Sequence, residues 1–379
     1  MISNALHVSR YDGECENSFA AGLVFDGTSA GSKKLASAAS RAEAVGRLLK
    51  NYIEGYGSIS IAADYHLASG GKMFRPQFVL SIASAIGVTE PTALQIAAAC
   101  ELLHNASLVH DDLQDKDETR RGQPAVWKAF GPETAINLGD FFIAGAFQAL
   151  AEIDAAPDLR VKLTRLFAET TRQVISGQSE ELAGSRNLNL TVDDYENNAR
   201  LKSGMLLALP VTATMIAGGL APAQVESAGL AMQWLGVAYQ IQDDLVDLFG
   251  LKDGRPAAVD LREGRVNLPV TYYHQLLGND PLQRAFASFF ESDISTPAEI
   301  EFWACRMRSS EAVDRSIARM HDAVNQVAVK LKALPIPLQS IITAAQSRML
   351  KYVDAILREK HKSQHGILEI QTGEAGNED

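Results

Sequence analysis

The chain has 379 residues, 46% of them hydrophobic and 7% aromatic, which is enough apolar material for one large core and excludes a disordered polypeptide. A formal charge of -11 argues against a broad nucleic-acid surface, because phosphate-backbone binding needs clustered Lys and Arg; any anionic ligand must be held by a local basic set. The cysteines Cys15, Cys100 and Cys305 lie far apart without metal-ligand spacing and read as structural thiols of a reducing compartment.

Residues 1–38 are rich in Ser, Gly, Asn and acids without a sustained period and read as an irregular extension. They contain no basic region followed by an apolar run, so the expectation is a cytoplasmic protein without a secretory signal. Residues 39–362 read as helix after helix, a single all-α domain without an internal repeat or linker. Its first chemically pointed segment, SGGKMFRP, sets Lys72 and Arg75 beside a Gly-Gly turn and a helix start, where free backbone N–H groups favour anions.

After a start signal at Thr89 to Pro91, one helix carries His104, Asp111 and Asp115 at i, i+7 and i+11, hence on one face. Arg120 and Arg121 follow it, and Gly122 and Pro124 mark its end. Thr191 and Asp194 have the spacing of a capping box. Lys202 and Ser203 fall within an apolar helix, where a lone buried Lys is costly without an anion nearby. The stretch from Gly204 to Ala221 is the most membrane-like, but Pro210 and Gly218-Gly219 interrupt it; it reads as a core helix, and no transmembrane segment is expected. Gln240, Asp243, Asp244 and Asp247 then form a stripe at i, i+3, i+4 and i+7, and the loop DGRPAAVDLREGRVNLP adds Arg255 and Arg265. Residues 363–379 form a polar tail expected to fray.

Either acidic cluster alone has an ordinary reading as a solvated face. As a pair in apolar helices they demand more, since Asp111, Asp112, Asp115, Asp243, Asp244 and Asp247 would be costly to bury without cations. Hard oxygen ligands of this kind suit Mg²⁺, which binds through a few carboxylates together with substrate phosphates. An EF-hand reading of DKDETRRG fails, because Arg120 stands where that loop needs Gly and Val126 where it needs Glu. The basic residues placed around the two motifs supply donors for phosphate oxygens that metals leave open.

In their order and spacing, GGKMFRP, HNASLVHDDLQDKDETRRG, GQSEEL, LKSG, YQIQDDLVD and GRPAAVDLREGRVNLP resemble the polyprenyl synthetase family of trans-isoprenyl diphosphate synthases over roughly residues 40–360. The resemblance implies a helical bundle around a deep central cavity, a homodimer, and condensation of isopentenyl diphosphate with an allylic diphosphate. It makes Asp111, Asp112 and Asp115 the first aspartate-rich motif and Asp243, Asp244 and Asp247 the second, holding Mg²⁺, three ions with the bound diphosphate. Lys72, Arg75, His104 and Arg121 match isopentenyl diphosphate contacts; Arg120, Lys202, Ser203, Gln240, Arg255 and Arg265 match positions lining the allylic diphosphate. Lys202, Gln240 and Arg120 are the implied catalytic groups, with the dipoles of Gln240 and of the backbone near Lys202 facing the allylic cation.

The chain departs from the family pattern at several positions. Met73 stands where Arg is usual, Trp127 where His is frequent, Ser203 and Asn267 where Thr is usual, Ala258 where Gly is usual, and Arg255 and Arg265 where Lys is usual. A terpene cyclase, a prenyltransferase with another acceptor, and a non-catalytic subunit of a heteromeric synthase are the rival readings; the basic set around Lys72 and the two intact aspartate motifs argue against them. In this family, bulk below the first aspartates sets product length. Ala106 and Ser107 are small, which implies products of C20 or longer, whereas Leu102 and Leu103 one turn further form either a floor or part of the core.

Overall fold

The computed structural model describes residues 38–71, 73–252, 256–292 and 295–374. Cys15, Lys72 and Arg255, and all but the last residue of the expected N-terminal extension, lie outside the described residues. The chain enters through α1 (Ala38–Ile53), α2 (Ser58–Ala68), α3 (Phe74–Ile86) and α4 (Glu90–Gln114). A two-stranded ribbon, β1 (Thr119–Arg120) and β2 (Gln123–Pro124), leads to α5 (Val126–Phe130), α6 (Pro132–Ala151), α7 (Pro157–Gly184) and α8 (Val192–Ala199). A π-helical turn, Arg200–Gly204, joins α8 to α9 (Met205–Ala217), followed by α10 (Pro222–Phe249), α11 (Val259–Glu263) and α12 (Leu268–Leu277). The last elements are α13 (Pro281–Glu291), α14 (Pro297–Arg308), α15 (Glu311–Leu331), α16 (Ile336–Met349) and α17 (Val353–Glu374).

The helix ends follow local chemistry. Proline opens α4, α6, α7 and α10, where its missing N–H is not needed and its φ is already helical. The capping box expected at Thr191 is present: its hydroxyl accepts from Asp194 N at 3.1 Å, and the Asp194 carboxylate accepts from Thr191 N at 3.1 Å. Such a cap stabilises a helix by about 1 kcal/mol.

Three apolar clusters share neighbouring helices and make one continuous core. The first joins α1 to α7 around Phe142 and Phe167, the second packs α10 against α12–α15 around Phe286 and Trp303, and the third packs α3 and α9 against α10 and α16. Residues Leu206 to Met215 of α9 are all buried, as the core reading of that stretch expects. Among the described residues only α6 is long and apolar enough to cross a membrane, and it packs against α4. The final helix runs to Glu374, through most of the segment expected to fray.

Candidate active site

Glycines set how closely the site-bearing helices meet. A Cβ on Gly236 of α10 would lie 2.4 Å from Gly204 Cα, and one on Gly177 of α7 would lie 2.9 Å from Lys202 N. Backbone therefore touches backbone around the π-helical turn that carries Lys202 and Ser203, and π turns loosen helix geometry at functional positions. Ser203 donates from its hydroxyl to Gln240 Oε1 at 3.1 Å, and Gln240 Nε2 donates to Asp244 Oδ1 at 3.1 Å.

Two cavities adjoin there. The larger, about 630 Å³, is walled in part by the charged and amide side chains of Asp115, Glu181, Lys202, Gln240, Asp244, Asp260 and Arg265. The smaller, about 90 Å³, is lined by Leu103, Ala106, Ser107 and Asp111 of α4, Ile143 of α6, Val174, Ile175 and Gln178 of α7, and Leu206 of α9. Gln114 belongs to both walls. Leu103 lines the small cavity, whereas Leu102 is fully buried in the core.

The six motif aspartates divide. Asp115 and Asp244 face the large cavity and Asp111 the small one. Asp112 is buried and takes a forked hydrogen bond from Arg120, with Arg120 Nε at 2.8 Å from Oδ1. Asp243 pairs with Lys252 at 3.0 Å. Asp247 is buried and accepts from Asp260 N at 3.0 Å, so its carboxylate fixes the start of α11. Asp244 accepts from the Tyr195 hydroxyl at 2.6 Å and from Leu268 N at 3.3 Å in addition to Gln240.

Positive charge is interleaved with these carboxylates. Lys202 pairs with Glu181 at 2.9 Å, and Arg265 stands 3.8 Å from Asp115 and 2.5 Å from Glu263. Burial works against the Lys202 ammonium, but Glu181 and Asp111 outweigh it and keep the group charged. Burial nonetheless raises the carboxyls of Asp111, to about 6, and of Asp112, Asp115 and Asp244; Asp260 adds to the effect at Asp244. The protein's own cations thus leave the acidic groups under-compensated.

Arg75, His104 and Arg121 form a second basic region. Arg75 Nε and His104 Nδ1 are buried without hydrogen-bond partners among the described residues. Burial, then Arg75, Arg121 and Arg120, holds His104 well below its usual pKa and so neutral. A Cβ on Gly71 would stand 3.2 Å from the Arg121 guanidinium, so the Gly-Gly turn and Arg121 meet across the ribbon. Asp243 acts near this region: burial and then Asp243 push the Tyr239 hydroxyl up to about 12, while Arg75 opposes them.

No three acidic, histidine or cysteine side chains among the described residues are gathered into a ready metal site. Mg²⁺ needs none, since it keeps waters and takes one or two carboxylates plus substrate phosphates. Under-compensated carboxylates with only hard oxygen donors fit that ion.

Residues 58–302 match the family profile Polyprenyl synthetase. The chain belongs to the polyprenyl synthetase family. It is 34% identical over 239 residues to a farnesyl diphosphate synthase of Geobacillus stearothermophilus, covering 60% of this chain and 80% of that one. With a geranylgeranyl pyrophosphate synthase of Geoglobus acetivorans it shares 30% over 262 residues, 69% and 76% of the two chains. It spans 56% of the length of a (2E,6E)-farnesyl diphosphate synthase of Mycobacterium tuberculosis, at 36% identity over 205 residues. The crystal structure of geranylgeranyl pyrophosphate synthetase from Pyrococcus horikoshii superposes with TM-score 0.75 at 25% identity, over 83% of this chain and 96% of that one.

Several departures from the polyprenyl synthetase pattern have local reasons. Trp127 donates from its indole N–H to Asp117 O at 2.8 Å, tying down the turn after the first motif. Asn267 caps α12 by accepting from Val270 N at 3.1 Å and donates to Asp260 at 2.9 Å. Met73 and Ala258 both hold left-handed φ, 45° and 55°, the conformation that the usual Gly at 258 adopts without strain. Sequence reasoning named no role for Glu181, Asp260, Tyr195 or Gln178. The first and last lie in GQSEEL and Asp260 in the quoted loop, but Tyr195 carries no motif signal.

Proposed function

We propose that this chain is a Mg²⁺-dependent prenyltransferase that joins isopentenyl diphosphate to an allylic diphosphate and releases diphosphate and a longer trans-polyprenyl diphosphate of C20 or longer. The observation that carries the reading is the adjacency of the two cavities: a carboxylate- and ammonium-lined chamber of about 630 Å³ sharing Gln114 with an apolar one. A diphosphate bonded to a hydrocarbon is the ligand class that matches both halves. Farnesyl, geranylgeranyl and heptaprenyl synthases among the relatives support the reaction class and differ in product length.

Asp111, Asp115, Asp244 and Asp260 would hold Mg²⁺ against the allylic diphosphate, where the ion supplies charge neutralisation of the departing group. Lys202, Arg120 and Arg265 donate to its oxygens, and these fixed donors favour the charge that develops as the carbon–oxygen bond breaks. Arg75 and Arg121, with neutral His104, orient isopentenyl diphosphate so that its double bond faces the allylic carbon. The π electrons form the new carbon–carbon bond, and the adjacent proton passes to an oxygen of the released diphosphate. The apolar walls keep water from the cation. The exposed side chains of Ile136 on α6 and of Val161 on α7 support a homodimer through these helices.

The test is incubation with isopentenyl diphosphate, Mg²⁺ and C5, C10 or C15 allylic diphosphates, with products read by mass spectrometry. Elongated diphosphates are expected. A cyclic hydrocarbon formed at full rate from the allylic substrate alone would establish a cyclase instead.

A further inference from the structure

The junction between the two cavities holds a polar atom that the site described above does not use. Gln178 is 8% exposed, its Nε2 donates to Gln114 Oε1 at 3.0 Å, and its own Oε1 is buried without a partner among the described residues. An amide carbonyl removed from water and left unpaired is destabilising, which asks for a positively polarised ligand. The cavity wall sets Ile143, Val174 and Leu206 beside the polar side chains of Ser107, His110, Thr171 and Ser179, and Asp111 stands at the same cavity.

The level of Gln178 in the site is fixed by its neighbour. Gly177 packs against the backbone of Lys202, so α7 presents Gln178 beside the turn that holds Lys202 and Ser203. An allylic substrate laid across the two cavities has its diphosphate on the Lys202 side and its hydrocarbon among the apolar residues. The carbon that joins the two must lie at the junction. When its bond to oxygen breaks, the electron pair leaves with the diphosphate and positive charge spreads over the allylic unit. A neutral carbonyl dipole lowers the energy of that charge without forming a bond that would trap it.

We propose that the side-chain carbonyl of Gln178 is the dipole that faces the allylic cation, held in place by the hydrogen bond to Gln114. The inference rests on the prenyl-transfer reading above. Gln240 is less free for this task, since its carbonyl accepts from Ser203 and its amide nitrogen donates to Asp244.

The test compares wild type with Gln178→Leu and Gln178→Glu, the latter presenting an oxygen whichever way the group turns. Three quantities are read: single-turnover rate, affinity for a non-ionising allylic thiodiphosphate, and affinity for an ammonium analogue of the allylic cation with inorganic diphosphate. Gln178→Leu is expected to lower the rate and the ammonium affinity together, each at least about 10-fold, while thiodiphosphate binding stays within about 2-fold. Gln178→Glu should keep the ammonium affinity of wild type. An unchanged rate in Gln178→Leu, or thiodiphosphate affinity lost in step with ammonium affinity, overturns the assignment. Should Gln178→Leu not fold, loss of ammonium affinity in Gln178→Glu does the same. A wild type that converts no allylic pair overturns the prenyl-transfer reading and this inference with it; an active wild type with an unaffected Gln178→Leu overturns this inference alone.

Discussion

Asn267 joins a helix cap to the larger cavity: its Oδ1 accepts from Val270 N at 3.1 Å and its Nδ2 donates to Asp260 Oδ2 at 2.9 Å. The second contact orients a carboxylate of the cavity wall, whose backbone N–H is already held by Asp247. Asn267→Ser keeps a capping oxygen but is too short to reach Asp260. Its urea midpoint should stay near that of wild type, while the Mg²⁺ concentration for half-maximal turnover rises several-fold. Asn267→Ala should lose about 1 kcal/mol of stability besides, through the lost cap. Equal Mg²⁺ titrations in all three proteins would show that the contact to Asp260 is without consequence for the ion.

Asp111→Ala and Asp115→Ala are each expected to lower turnover by at least about 10²-fold with the fold retained, since each removes a cavity-lining carboxylate proposed to hold Mg²⁺. Asp247→Ala should behave differently. This residue is 7% exposed and holds the start of α11, so its removal leaves Asp260 N without its acceptor and costs about 1–3 kcal/mol of stability. Denaturation and steady-state kinetics on the three variants separate the two roles.

The two motifs were legible in the sequence because their aspartates recur at helical spacing, and a periodic stripe survives any tertiary arrangement. What each aspartate touches was not legible. Asp112, Asp115 and Asp247 share one residue type and similar spacing, yet one binds Arg120, one faces a cavity and one caps a short helix. Those outcomes depend on the ribbon after α4 and the turn before α11, where backbone leaves regular geometry. Met73, Lys116, Arg121 and Ala258, the non-glycine residues with positive φ among those described, all stand beside motif residues. Strain of this kind gathers at functional sites and breaks the local rules that sequence reading relies on.

Ala258 allows a direct measure of that strain. Its φ is 55°, it is 1% exposed, and its N–H donates to Asp247 O at 2.8 Å, so the loop cannot relax by turning outward. A left-handed conformation costs a non-glycine residue about 1–2 kcal/mol, whereas glycine gives back about 0.5–1 kcal/mol through its freer unfolded chain. Ala258→Gly should therefore stabilise the protein by roughly 0.5–1 kcal/mol, read as a raised urea midpoint with an unchanged m-value. A lowered midpoint would mean that the methyl group's packing outweighs the strain.

His66 predicts a loss of stability in acid. It is 2% exposed and its Nε2 lies 3.0 Å from Asn105 Oδ1; burial lowers its pKa to about 4, against the Asn105 contact. Because the folded pKa lies below the unfolded value, the unfolded chain binds the extra proton. The contribution is fully present above about pH 6.5 and is lost as pH falls from there to about 4, roughly 3 kcal/mol in all. His66→Gln, which cannot titrate, should flatten the profile over that window. Identical pH profiles for wild type and variant would contradict the buried neutral imidazole.

Ala106 carries the prediction on product length. It is 1% exposed, on the α4 face that lines the small cavity, with Leu103 one turn below and Asp111 above it. On the proposed prenyl-transfer reading the growing hydrocarbon enters at the aspartates and passes this level, since α helices rise about 1.5 Å per residue and residues 106 and 111 are therefore roughly 7.5 Å apart along the axis. Ser107 is also on the wall, but its hydroxyl donates to His104 O at 2.8 Å, so it is tied back to the helix and leaves the passage open. Ile175, on the wall of the same cavity of about 90 Å³, is 55% exposed. A phenyl ring at 106 would fill most of that space. Ala106→Phe is expected to shorten the products while sparing the first condensation, and Ile175→Trp, at the outer rim, should act only on longer chains. Wild-type products that stop at C10 or C15, or an Ala106→Phe distribution identical to wild type, would move the length control elsewhere in the bundle.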